Sequence, residues 1–363
     1  MGDNNEFENN EFEQENQWQA GCKCCGSPIV QDGYNLELCE ECRKKLSKRP
    51  IPKKFLFLAA GILIILVISL FKFPGYINAG IEFKRAEKAI DEHKYVTAMN
   101  YYENVVDENS KYENKIKLME LYYYNGYISE AYDIYESLVG EKIDEEYYNK
   151  ATKIMNDVEK YYIYKDELYD KVNEIEEGDY DKLLELIKPY VDSDPKEICG
   201  ASTIIDIYMD KKMFNEAKPI AERIVSENPD YDYGKYELSL IYIELGEYDK
   251  ALNIAEDLFY SNKESIYGYV CKSKAELKKG NNENGLIIAE RACRLDPYNS
   301  FAATNLALAY HYNGMIEERD SMYQYCIESE FIEKDNYLKS IFSGEYKWQE
   351  GEKEGNIWLY QGF

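Results

Sequence analysis

The chain has 363 residues, a mass of 42.6 kDa and 45% hydrophobic residues, so it is long enough to bury a sizeable core. It has 69 Asp and Glu residues against 43 Lys and Arg, a net charge of −26. This balance argues against a broad nucleic-acid surface, which needs clustered bases. With two histidines, His93 and His311, the chain offers little for histidine-based catalysis.

Residues 1–20 form an acidic tail of Asn, Gln, Glu and Asp in which Phe7, Phe12 and Trp18 stand alone. So little apolar surface does not offset the entropy lost on ordering, and we expect the tail to be disordered. A short partner-binding motif around the aromatic residues is the alternative.

Residues 21–46 contain two C-x-x-C pairs, Cys22 with Cys25 and Cys39 with Cys42. The tight turn in each pair points both sulfurs the same way, and four thiolates complete a tetrahedral structural zinc site. We therefore predict one structural Zn²⁺ bound by these four residues. The remaining cysteine of the segment, Cys24, is assigned as a non-ligand.

This segment resembles a zinc ribbon, and the resemblance is confined to residues 21–46. It implies a small metal-stapled fold that mediates protein or nucleic-acid contacts, and it does not imply any one activity. A disulfide framework and a redox pair are the alternatives; both weaken if the segment is cytosolic, since disulfides rarely persist there.

Residues 55–73 are predicted to form a single transmembrane helix. The stretch Phe55–Phe71 carries no charge, and lysines flank it on both sides. At 1.5 Å per residue it spans about 25 Å, which snorkelling lysines extend toward the hydrocarbon thickness of about 30 Å. Residues 47–54 form a basic juxtamembrane linker.

The distribution of bases around this stretch predicts its orientation. After it, only Lys72 is close, whereas seven bases precede it: Arg43, Lys44, Lys45, Lys48, Arg49, Lys53 and Lys54. The positive-inside rule then places the amino terminus in the cytoplasm. We expect a single-pass protein of the cell membrane, with residues 74–363 outside the cytoplasm.

The remainder of the chain repeats with a constant period. The period is visible at the recurring turn positions Gly178, Lys212, Gly246, Gly280 and Gly314. A fixed period of about 34 residues is typical of stacked helix-turn-helix units.

This part resembles the tetratricopeptide repeat (TPR) family, whose unit has the same period. Five positions after five of the turns stands a small residue: Ala98, Ala131, Ala217, Ala251 and Gly285. Leu183 and Arg319 are the departures from this pattern. Four positions before four of the turns stands a tyrosine: Tyr122, Tyr208, Tyr242 and Tyr310. Proline closes three units: Pro195, Pro229 and Pro297. Small residues allow helices to cross closely, and proline stops the second helix.

The resemblance predicts an all-α solenoid of about seven units over residues 79–333. The first three units are irregular, with turns at His93, Gly126 and Gly178. The long spacing between the last two leaves an added helix near 145–162.

Residues 334–363 are expected to cap the open end of the solenoid, because a terminal repeat must be covered. Trp348 and Trp358 could supply the packing.

Stacked units form a concave wall from their first helices, and such walls bind peptides or partner helices. The wall positions of the most regular units are Tyr233, Tyr236, Tyr267, Phe301, Leu308, His311 and Tyr312, with Lys274 and Lys278. Tyrosines with polar tips suit a protein-binding groove. With 37 tyrosines in the chain, chance placement on this wall is the alternative.

These features predict a non-enzymatic, membrane-anchored adaptor that holds a protein or peptide in an extracytoplasmic groove. The alternative is a transmembrane signalling protein whose zinc ribbon contacts a regulator or nucleic acid while the repeats sense a ligand. Neither phosphate-binding nor nucleophile motifs occur, so no feature favours an enzyme. The sequence leaves the oligomeric state open.

Overall fold

The fold is known from a computed structural model, which describes residues 21–48, 52–176, 178–194, 196–332 and 337–350. The predicted disordered tail and Trp358 lie outside these residues. The chain divides into two compact units, residues 1–75 and residues 76–363, which are described separately.

The first unit contains a turn-rich segment followed by helix α1, Glu40–Ser47. Cys39 is the N-cap residue of α1, and its Sγ accepts a hydrogen bond from the Cys42 N–H. Acidic residues in the first turn and lysines in the last turn interact favourably with the helix dipole. The small core of the segment is formed by Cys22, Leu38 and Cys42.

Helix α2 is Lys53–Asp91, 39 residues long, and crosses the boundary between the two units. Among the residues that the structure describes, no helix is long and apolar enough to cross a membrane. The predicted transmembrane helix at 55–73 is therefore wrong. The apolar stretch is instead the first part of a helix that continues to Asp91. Its large apolar side chains are exposed between Phe55 and Ile68.

The second unit is all-α in its described part, which confirms the predicted solenoid architecture. The end of α2 packs against α3 through Ala86, Ala89, Ala98, Met99 and Tyr102. The helices that follow α2 are α3 Tyr95–Glu103, α4 Tyr112–Tyr124, α5 Ile128–Ser137, α6 Glu145–Tyr162, α7 Asp166–Asn173, α8 Tyr180–Ser193, α9 Ile198–Asp210, α10 Phe214–Glu227, α11 Asp232–Glu244, α12 Tyr248–Ser261, α13 Ile266–Lys278, α14 Asn282–Leu295, α15 Ser300–Tyr312, α16 Ile316–Glu328 and α17 Tyr337–Ser343.

Every predicted turn between paired helices has a left-handed backbone. The φ values are 57° at His93, 83° at Gly126, 86° at Gly178, 55° at Lys212, 75° at Gly246, 83° at Gly280 and 70° at Gly314. This conformation ends a helix and is easiest for glycine, so the period of the turns follows from backbone sterics. The added helix expected near 145–162 is α6.

The paired helices cross over the small residues of the period. Ala98, Ala131, Ala217 and Ala251 are completely buried. In two consecutive units a buried serine of the first helix also bonds the second: Ser239 Oγ donates to Ala251 O at 3.3 Å, and Ser273 Oγ to Gly285 O at 2.8 Å. Close backbone approach therefore holds each pair together.

Within the second unit, the early repeats also contact the late repeats. Thr97, at the start of α3, donates from its backbone N–H and from Oγ1 to the carboxylate of Glu264, at 2.7 and 2.8 Å. Tyr127 donates its hydroxyl to Asp296 at 2.6 Å. Glu264 and Asp296 lie in the loops before α13 and α15. We call these interactions the closure contacts.

Candidate functional site

The four cysteines of the C-x-x-C pairs lie together in the first unit. The sulfurs of Cys22, Cys25, Cys39 and Cys42 are all within 4.8 Å of one another, and the Cys25 and Cys39 sulfurs are 3.6 Å apart. Zn–S bonds of about 2.3 Å place tetrahedral sulfurs about 3.8 Å apart. The donor set fits a structural zinc ion, so these residues could hold one.

Local backbone geometry produces this arrangement. The Gly26 N–H donates to Cys22 O at 2.8 Å, with Gly26 at a φ of 76°, which closes the first knuckle. The start of α1 presents Cys39 and Cys42 from the other side. A hydrogen bond from the Cys39 backbone lowers the pKa of Cys22 to about 6, whereas side-chain hydrogen bonds with Cys25 and Cys39 raise the pKa of Cys42. Cys24 is exposed and is not one of the four.

Four of the predicted wall residues form one aromatic cluster. Tyr233, Tyr236, Tyr267 and Phe301 have neighbouring ring centroids 5.1 to 6.5 Å apart, several of them in edge-to-face geometry. Such pairs contribute roughly 0.5 to 1.5 kcal/mol each beyond their buried area. The three tyrosines are nonetheless buried.

The chain itself covers this cluster. The Tyr161 ring stacks on Tyr231 at 4.3 Å, and the Tyr162 ring lies 6.4 Å from Tyr233. Gly126, the turn residue of the second repeat, lies against Tyr267, since a Cβ on Gly126 would be 2.5 Å from the tyrosine hydroxyl. Burial raises the pKa of Tyr233, Tyr236 and Tyr267 well above the ordinary value. These residues act as an interface between early and late units.

Two more predicted wall residues, His311 and Tyr312, contact the carboxy-terminal part of the described chain. The His311 ring is 5.0 Å from Phe342, and the Tyr312 ring is 5.8 Å from Trp348. Burial, followed by the charge of Arg319, lowers the pKa of His311. The structure thus divides the predicted groove between an aromatic cluster and a second region near Tyr312.

That second region is a row of residues at the ends of successive first helices. Glu244, Lys278 and Tyr312 stand one repeat period apart and end α11, α13 and α15. Lys278 Nζ lies 2.8 Å from Glu244 Oε2, and both side chains are only 5% exposed. We call these three residues the wall row. Its equal spacing was the available signal for Glu244, which was not among the predicted wall positions.

Residues 208–268 match the family model described as tetratricopeptide repeat. A thermophilic TPR protein of Thermus thermophilus is 18% identical, with a TM-score of 0.40 over 46% of this chain and 90% of that chain. A crystal structure of MamA is 20% identical, with a TM-score of 0.34 over 46% and 96%. No curated protein matches the chain. The family-model match supports the repeat resemblance for residues 208–268.

Proposed function

We propose that the chain is a non-enzymatic adaptor whose repeat wall binds a peptide segment of a partner protein. The observation that carries this proposal is the wall row, which already holds a peptide segment: Trp348 and Gln349 hydrogen-bond to its side chains. Polar groups that hold both a side chain and a main chain suit peptide binding. The buried Lys278–Glu244 pair anchors the segment through hydrogen bonds. The described contacts of this pair include no nucleophilic side chain.

Site-specific photo-crosslinking tests the adaptor function. A photoreactive phenylalanine analogue placed at Tyr312 of the full chain is expected to crosslink a protein partner in cells. The matched control is the same analogue at Tyr260, at the end of α12, whose side chain is 87% exposed. Adducts at position 312 and far fewer at 260 would support binding by the wall. Adducts at 260 alone, or none at 312, would contradict it.

We also propose that the four-cysteine cluster holds one structural Zn²⁺. Four thiolates fill all the positions of a tetrahedral ion, so the metal would fold the segment and perform no chemistry. The support is the mutual approach of the four sulfurs within 4.8 Å.

The location of the chain stays a prediction from the bases before residue 55: the protein at the cell membrane, with the amino terminus in the cytoplasm and the repeats outside. Because no helix among the described residues is long and apolar enough to cross a membrane, this location does not rest on residues 55–73 as a spanning helix. Separation of membrane and soluble fractions, with protease added to intact cells stripped of wall, tests both parts. Repeats that resist protease until lysis would contradict the external location.

A further inference from the structure

The described carboxy-terminal residues lie across the wall of the late units. Helix α17 contacts α15, and residues 344–350 continue mainly in turns, in which the Glu350 N–H donates to Lys347 O at 3.1 Å. Leu338, Ile341, Tyr346 and Trp348 are buried in the core cluster of the last repeats. We call residues 346–349 the wall segment. Its sequence is Tyr-Lys-Trp-Gln.

Trp348 is bound by the ion pair of the wall row. Its indole Nε1–H donates to Glu244 Oε1 at 2.7 Å, and its carbonyl accepts from Lys278 Nζ at 2.6 Å. The same ammonium lies 4.6 Å from the centre of the indole ring, in cation–π geometry. One ion pair therefore recognises both the side chain and the main chain of a tryptophan.

Gln349 and Tyr346 occupy neighbouring positions on the wall. The Gln349 side-chain amide donates to Leu277 O at 2.5 Å and to Asn282 Oδ1 at 2.6 Å, and its backbone N–H donates to the Tyr312 hydroxyl at 3.3 Å. Tyr346 receives the Lys212 ammonium 4.0 Å from its ring centre. The contacts are thus specific to three residues of the segment: an aromatic residue at 346, a tryptophan at 348 and a glutamine at 349.

The wall also contains a buried amide, that of Asn305, which is available to hydrogen-bond a ligand. Asn305 is fully buried, and within the described chain neither side-chain atom of its amide has a hydrogen-bond partner. By helical spacing it shares a face of α15 with Phe301, Leu308 and Tyr312. An unsatisfied buried polar group costs roughly 1 to 3 kcal/mol. A segment that hydrogen-bonds Asn305 would therefore have an advantage over the chain's own residues.

We propose that the wall segment is an intramolecular ligand, and that the wall row binds in its place a short turn-forming segment of another protein that carries the same Tyr-x-Trp-Gln chemistry. This inference rests on the proposed adaptor function and adds the chemistry of the ligand and its control. The tethered segment competes at a high effective concentration, of the order of millimolar for a short linker. Partners that match it poorly are then excluded.

A labelled peptide tests the proposal directly. Its sequence is Gly-Glu-Tyr-Lys-Trp-Gln-Glu, copied from residues 344–350, and fluorescence anisotropy measures its binding to the full chain. In Trp348→Ala the tethered competitor is weakened, so we expect the peptide to bind at least about tenfold more tightly than to the unmodified chain. The double variant Glu244→Ala with Trp348→Ala should lose that gain.

A control peptide with alanine in place of tryptophan should bind at least about tenfold more weakly to Trp348→Ala. Equal affinities for the two peptides, or for Trp348→Ala and the unmodified chain, would overturn the proposal. Loss of cooperative melting in Trp348→Ala would also overturn it, because the segment would then be an integral cap. Self-association of the unmodified chain through exchanged segments would assign the wall to a second copy. Crosslinks at Tyr312 with no peptide binding would leave the adaptor function intact.

Discussion

Gly285→Ala is expected to destabilise the repeat domain, although alanine is the better helix former. Gly285 is the small residue of the sixth unit and lies inside α14. A Cβ there would be 2.7 Å from both Cγ and Cδ2 of Leu277 and 3.2 Å from Ser273 O. Leu277 is completely buried, so it has no open space into which to move.

Two opposing effects set the magnitude. Replacing glycine by alanine in a helix interior gains about 1 kcal/mol. Overpacking a filled core costs roughly 1 to 3 kcal/mol. Contacts of 2.7 Å with two atoms place this site toward the upper part of that range, so we expect a net loss of about 1 to 2 kcal/mol in the free energy of unfolding.

Denaturant unfolding followed by circular dichroism measures this loss. The preceding unit supplies the control, because there Ala251 is paired with Ile243, the equivalent of Leu277 one period earlier. Adding Leu277→Ile to Gly285→Ala should therefore recover part of the stability. A Gly285→Ala chain that is more stable than the unmodified one would refute the close approach and leave helix propensity as the controlling effect.

Three further predictions concern the cysteine cluster, the buried carboxyl group of Asp206 and the aromatic cluster. The full chain should hold about one zinc ion, and Cys39→Ser with Cys42→Ser should release it; full retention in metal analysis would refute the four-cysteine site. Burial, with the charge of Asp210, raises the pKa of Asp206 from 3.8 to about 8, so stability should fall as pH rises between about 4 and 8. Asp206→Asn should flatten that fall in denaturant unfolding at pH 5 and pH 8, and an unchanged slope would count against the assignment. Tyr267→Ala should cost about 3 kcal/mol in stability because the ring is buried in the aromatic cluster; unchanged melting with lost partner capture would instead make it a binding residue.

Much of the repeat architecture follows from the sequence, because each unit needs a left-handed residue between its helices and a small residue where they cross. The left-handed residue recurs in all seven units and the small residue in five of them, so Lys212 is recognisable as a turn even without glycine. The paired cysteines are equally local. In both cases the residue type and its spacing contain most of the structural information.

The occupation of the wall has a different origin. Trp348 meets Glu244, which is 104 residues earlier, and this contact depends on how successive units rotate. Periodicity does not encode that rotation, since any first-helix position can face a partner or another part of the chain. The end of α2 was missed for a related reason: hydropathy marks the apolar stretch but does not show that the helix continues to Asp91.

The closure contacts change how this solenoid is expected to fold. In an open repeat array each unit contacts its neighbours, so units add and fray one at a time. Here Thr97 bonds Glu264 across 167 residues of sequence, and Tyr127 bonds Asp296 across 169. Such pairs, which are distant in sequence, raise the contact order. Loss of an early repeat is therefore expected to destabilise the late repeats as well. Unfolding should then be a cooperative event across the repeat domain, and removal of the first two units should weaken the sixth and seventh more than the fourth.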